Sequence, residues 1–387
     1  MKKLHVLKIV LFYLMIFVFS CQKDHEVESI TIIKNPNLSV VNTIYNHNHL
    51  SSSPCQIYGD NIITSTTGSN GESFISMISL TNSINSHINL NKKYLEFNKT
   101  YIFDKYAVFQ NPNTYYVVDL DEKKFLFTKT LDSPNGQNEI RYSFGHLYYS
   151  CEENGNKVKI KKVEIQSGKE DIISEHILSS TSSQVGNVNI INDSINGKLN
   201  LCYTLFNEPS IGENTVYVKN VNNSESSTYQ YSETSIDGFF TFSITSGSIL
   251  LDQIGNTLIC SETKTGKILW KTEFDYRSNI DRSWSLIVTD KFIFVYGNKM
   301  TKIDLLSGLI LENSDLYTYP GDVSFQRQYP DRHIVSYGEH HFVHFLAQKK
   351  IIYLGKSDTS PCYTISQDYY LWNHFGSNFL KLSSWTK

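Results

Sequence analysis

From residue 28 to the C-terminus the chain carries almost no helical period. Apolar residues come in short runs rich in Val, Ile, Tyr and Phe, separated by clusters of Gly, Asn, Asp and Ser. That pattern predicts an all-β fold. One unit recurs: an apolar strand, a turn, a second strand ending in an acid or polar residue, a turn often bearing Gly, and a third strand. The clearest copy occupies 248–251, 256–260 and 264–270, and the next occupies 292–296, 300–304 and 306–311. Weaker copies contain 75–80, 116–127, 163–169, 216–220, 333–345 and 369–382.

Eight units over residues 28–387 give a spacing of about 45 residues, the period of a propeller blade. Each unit alone buries too little apolar surface, so the units must stack on one another. The expected fold is therefore a single β-propeller over residues 37–387 with eight four-stranded blades, seven being the alternative. The last copy is short of strands. A strand from residues 30–46 is expected to complete it and close the ring.

Within the clearest copy the run Thr265-Gly266-Lys267-Ile268-Leu269-Trp270 resembles the repeat of the PQQ-like, or quinoprotein-like, propeller family. Ser307-Gly308-Leu309-Ile310-Leu311 is a second, degraded match without the tryptophan. The residue types have structural reasons. Gly266 and Gly308 supply turns with positive φ, and Trp270 supplies a large apolar anchor between units. The quinone enzymes of that family use adjacent cysteines and an Asp beside calcium. This chain has no adjacent cysteine pair, so no quinone or other cofactor is expected.

The N-terminus has a different pattern. Lys2, Lys3 and Lys8 precede an apolar run over residues 9–19, then Ser20 and Cys21. A basic start, a short apolar core and a small residue at the cut describe a secretory signal. A spanning helix needs about 20 apolar residues, and this run is too short. Val18-Phe19-Ser20-Cys21 resembles the lipobox of bacterial lipoproteins, which implies cleavage after residue 20 and lipid on Cys21. Several acyl chains anchor stably where one does so marginally. The next residues, Gln22, Lys23 and Asp24, resemble the export signal of surface lipoproteins in one large Gram-negative phylum. Residues 1–20 are thus read as the leader and 21–36 as a lipidated tether. The expected address is the outer membrane with the protein facing the cell exterior, the periplasmic face being the alternative.

Charge and cysteines remove further classes. The whole chain has a net charge of −3, and losing the three leader lysines leaves −6. With no basic block there is no footprint for nucleic acid. Five cysteines besides Cys21 make no dense disulfide framework, and no CxxC pair suggests zinc. Cys55 and Cys362 both follow Ser-Pro, ahead of the first and last units. If those units meet at the closure, a disulfide between them would lock the ring, with two buried thiols as the other reading.

Few residues suggest chemistry. His340, His341 and His344 form an HHxxH cluster, but along a strand its ends stand about 13 Å apart, too far for one metal. A hairpin rim is the expected setting. His47 and His49 lack a third ligand. Asp119 and Asp121 begin like a calcium loop but lack its later Gly and Glu, so no metal site is expected. Asp193-Ser194-Ile195 resembles a short O-glycosylation site, with Ser194 as the acceptor. The functional expectation is a monomeric, non-catalytic lipoprotein that binds a protein or glycan at the envelope. In a periplasm-facing form it would be similar to the propeller lipoprotein accessory of outer-membrane barrel assembly. The alternative is a hydrolase or lyase working in the propeller channel.

Overall fold

The structure, a computed structural model, describes residues 31–33, 38–45, 49–50, 56–79, 85–131, 139–153, 156–178, 184–185, 188–193, 198–206, 213–221, 226–232, 240–246, 248–254, 257–263, 265–273, 285–296, 299–315, 323–328, 332–337, 340–347, 350–356, 369–373 and 379–385. All regular elements among them are strands, arranged in eight sheets. Each sheet coincides with one sequence unit, and the first seven add to it a strand ahead of the first apolar run. The fifth sheet shows the plan. Phe240–Ser246, Ile249–Ile254, Thr257–Glu262 and Ile268–Glu273 pair in chain order, every pair antiparallel.

The middle strands are buried on both faces. All five residues of Tyr106–Gln110 in the second sheet are buried, as are the last five of Thr114–Asp119. One face packs on the sheet before and the other on the sheet after. Phe109, Tyr116 and Val118 meet Ile63, Ile75 and Met77 of the first sheet. Val108, Tyr115 and Val117 meet Leu147, Tyr149 and Val163 of the third. The same sandwiching continues from third to fourth, fourth to fifth, fifth to sixth and sixth to seventh. A strand covered on both sides reads as a continuous apolar run, which is why the sequence shows runs rather than alternation.

The chain ahead of the first sheet is shared between the last two. Leu38–Tyr45 pairs antiparallel with Phe379–Trp385 as the outer strand of the eighth sheet. Thr31–Ile33 pairs in parallel with Lys350–Ile352 of the seventh. Residues 31–33 therefore belong to a sheet although they fall within the stretch assigned to the tether.

The glycine turns lie between the third and fourth strands. The amides of Gly168, Gly266 and Gly308 donate to the carbonyls of Glu164, Glu262 and Asp304 at 2.8, 2.8 and 2.9 Å. The hydroxyls of Ser167, Thr265 and Ser307 donate to the carboxylates of the same three acids. Gly266 and Gly308 both have φ of +71°. The repeated acid, hydroxyl and glycine are thus the parts of one turn, built three times.

Candidate functional site

Two kinds of polar cluster stand out. One kind is buried between sheets. The Tyr296 hydroxyl lies 2.7 Å from Nδ1 of both His333 and His344. Tyr296 comes from the sixth sheet, and the two histidines are cross-strand partners in the seventh. Burial and the neighbouring His344 hold His333 down at about 3, and burial and Lys302 hold His344 at about 4. Both imidazoles are therefore neutral near pH 7. His344 sits in the interior, not on a hairpin rim as expected from the HHxxH cluster, because it faces the aromatic core of the sixth sheet. Comparable pairs join other sheets. Tyr203 meets Nε2 of His176 at 2.8 Å, and the Thr204 hydroxyl meets Asp252 at 3.3 Å. These hydroxyls, ring nitrogens and the Asp252 carboxylate pair with one another between sheets, while Nε2 of His333 is buried without a hydrogen bond.

The other kind is exposed and gathers at the turns of the first three sheets. In the second sheet the first turn carries Asp104 and Lys105, and the third carries Asp119 to Glu122. The amide of Leu120 donates to the carbonyl of Lys105 at 2.9 Å, so the two turns lie side by side. The Lys105 ammonium meets Asp119 at 2.7 Å. Burial opposes the charge of Asp119, but the Glu122 amide and Lys105 outweigh it and hold the carboxyl below its usual range. Asp119 is thus a structural brace between turns rather than a cation ligand.

Tyrosines from both neighbours reach this brace. The Tyr58 hydroxyl of the first sheet donates to Oδ1 of Asp121 at 2.6 Å. That bond, with a smaller contribution from burial, raises the phenol above its usual range. The Tyr142 hydroxyl of the third sheet donates to Oδ2 of Asp104 at 2.7 Å. Its ring stacks on Phe103, with centroids 5.3 Å apart and planes 18° off parallel. Phe103 stacks in turn on Tyr101 at 5.7 Å. Two residues beyond Tyr142, Phe144 stands 78% exposed at the tip of the hairpin. The result is a row of half-buried aromatic rings and exposed carboxylates across three sheets.

A second group of exposed side chains is apolar. Leu306, Leu309, Ile310 and Leu311 are exposed at the third turn and outer strand of the sixth sheet.

Several sequence expectations fall on residues the structure does not describe. Cys21, Gln22, Lys23, Asp24, Cys55, Ser194 and Cys362 all lie outside the described residues, as does His47. Cys151, Cys202 and Cys260 are buried. The described part of the HHxxH cluster and the Asp119–Asp121 turn take the structural positions given above. The row of Tyr58, Phe103, Tyr142 and Phe144 was not anticipated. Its members are 45, 39 and two residues apart, so no local motif joins them.

The backbone resembles that of BamB from Moraxella catarrhalis, with a TM-score of 0.55 and 11% sequence identity over 90% of this chain and 99% of that one. It also resembles the C-terminal WD40 domain of Sif2, with a TM-score of 0.58 and 10% identity over 92% of this chain and 99% of that domain. The fold is a β-propeller. No family model matches the sequence, and no curated protein does. At such identities the likeness extends to the fold, and function has to be argued from the site.

Proposed function

We propose that the protein is a non-catalytic propeller lipoprotein of the outer membrane, held by lipid on Cys21 and displayed outward to bind a protein or glycan. Each of the eight sheets is read as one blade. The observation that carries the reading is the division of polar groups. The histidines and tyrosines between sheets pair with each other, while half-buried tyrosines and exposed carboxylates form a row on adjoining turns. Turns held on a rigid scaffold suit recognition. The leader, Cys21 and the Lys23-Asp24 pair support the address.

Feeding cells an alkyne-tagged palmitate tests the anchor. The wild-type chain is expected to carry the tag and sediment with membranes, and Cys21→Ser is expected to lose both properties. A tag that persists on Cys21→Ser overturns the anchor. Protease added to intact cells is expected to cut the protein. Survival until lysis would move it to the periplasmic face.

A further inference from the structure

The first turns of the first three sheets are two-residue hairpins. They are bracketed by the pairs Tyr58↔Asn61, Phe103↔Tyr106 and Ser143↔His146. The first residue inside each turn has positive φ: +55° at Gly59, +50° at Asp104 and +45° at Phe144. Gly takes this conformation freely, and Asp tolerates it. Phe does not, and the left-handed region costs such a residue about 1–2 kcal/mol. Nor does the ring recover that cost by packing, because it is 78% exposed. Backbone preference and core burial both argue against Phe at this position. Backbone strain of this kind gathers at functional sites.

Its surroundings indicate the ligand. Phe144 follows the Tyr142–Phe103 stack, and the carboxylates of Asp104 and Asp121 flank the row. Each carboxylate gives one oxygen to a tyrosine hydroxyl, Oδ2 in Asp104 and Oδ1 in Asp121, and keeps the other to accept a further bond. Ring faces carry partial negative charge and attract polarised C–H groups. Carboxylate oxygens only accept hydrogen bonds when ionised, and so select hydroxyl donors. A flat molecule with C–H groups on its faces and hydroxyls at its rim meets both requirements. The balance of fixed charges disfavours anions. Exposed acids outnumber exposed bases here, with Asp60, Asp104, Asp121 and Glu122 against Lys123 and Lys124, while Lys105 is already held by Asp119.

Resting on the binding reading above, we propose that this turn face binds a neutral saccharide, with Phe144 as the stacking platform and Asp104 and Asp121 as hydroxyl acceptors. Tyr58 and Tyr142 act as positioning residues that fix the two carboxylates.

Affinity electrophoresis of the full chain through gels containing β-1,3-glucan, xylan, mannan, galactan or starch tests this. Wild type is expected to be retarded by at least one of them. Phe144→Ala is expected to weaken that retardation at least tenfold, and Asp104→Asn severalfold, with the thermal midpoint of Phe144→Ala unchanged or raised. Tyr142→Phe keeps the ring but frees Asp104, and is expected to give an intermediate loss. Failure of wild type to bind any of the five polymers, or equal binding by Phe144→Ala, overturns the proposal. A photo-crosslinker at position 144 in intact cells separates the two levels. Capture of a defined protein there, with no saccharide bound, would sink the saccharide while keeping a binding face. Neither capture nor retardation would sink both.

Discussion

The indole of Trp270 occupies the space that a side chain on Gly308 would need. A Cβ on Gly308 would lie 2.6 Å from Cδ2 of Trp270, well inside contact distance. Trp270 also donates from Nε1 to the carbonyl of Leu305 at 3.0 Å, and Thr272 donates to the carbonyl of Gly308 at 2.6 Å. The fifth sheet is thus locked to the turn of the sixth. The same arrangement recurs with Tyr229 against Gly266 and Phe127 against Gly168. Gly308→Ala is expected to cost about 3 kcal/mol or more, combining displacement of the indole with left-handed strain. Gly59→Ala, where φ is +55° and nothing lies within 4 Å, is expected to cost only the strain, about 1 kcal/mol. Urea denaturation of both variants checks the difference, and equal losses would remove the steric lock.

Much of this frame is legible in the sequence. The Gly266 and Trp270 run marks a turn and an anchor because a turn glycine meets an aromatic ring of the preceding sheet at Gly168, Gly266 and Gly308. The apolar runs mark the middle strands because those strands are covered on both sides. Other features are hidden for physical reasons. The leading strand of the fourth sheet is split into Gln184–Val185 and Asn189–Asp193, both pairing with Lys198–Phe206, and so has no run long enough to read. The bond from Tyr58 to Asp121 joins residues 63 apart. It exists because adjacent sheets place their turns side by side, which no spacing rule predicts. Phe144 did carry a signal: Phe-Gly stands where a two-residue hairpin favours Asn-Gly or Asp-Gly.

Acid is expected to destabilise the protein through His333 and His344. Their folded pKa values, about 3 and about 4, lie below the unfolded value of 6.5. Between these limits the unfolded chain binds protons that the folded one does not, so stability falls as pH drops from about 6.5 towards 4. Above 6.5 this contribution is fully present. Chemical denaturation at pH 7.5, 6 and 5 is expected to show the decline, and the double change His333→Leu with His344→Leu is expected to flatten it. An unchanged slope in the double variant would mean that other groups bind the protons.

The Tyr296 hydroxyl has one proton to share between two imidazoles. It can donate to only one Nδ1, so the other imidazole must donate its own Nδ1–H to the phenol oxygen. His333 Nε2 is buried without a hydrogen bond, and a bare acceptor is less costly there than a stranded N–H. His333 is therefore the donor and His344 the acceptor. Tyr296→Phe removes both bonds and is expected to cost about 2–4 kcal/mol, since two buried groups lose their partner. Nitrogen-15 imidazole spectra are expected to show Nδ1–H on His333 and Nε2–H on His344, and the opposite assignment would reverse this reading.

Cys151, Cys202 and Cys260 are expected to resist alkylation until the sheets separate. All three are buried. Burial pushes the Cys260 thiol up to about 12 and the Cys202 thiol higher still, with Asp252 adding to the latter. The thiolate is the reactive form. Iodoacetamide at pH 8 is expected to leave these three unmodified in the native protein and to modify them in denaturant. A non-reducing peptide map of the same samples also reads the state of Cys55 and Cys362. Native labelling of Cys202 would show that the interface between the fourth and fifth sheets opens.

Replacing Phe144 should separate stability from binding. Phe144→Gly is expected to stabilise the fold by up to about 1 kcal/mol, because glycine adopts φ near +45° without the penalty a β-carbon brings. Glycine's greater freedom in the unfolded chain offsets part of the gain. Phe144→Asn keeps some of the benefit, since Asn tolerates the left-handed region. An ordinary exposed aromatic would leave the thermal midpoint unmoved or lowered. A midpoint that rises in both variants while saccharide retardation disappears would show that the turn holds a costly residue for its ring. A midpoint that falls would mean that the Phe144 ring packs on the surface and that its conformation is compensated there.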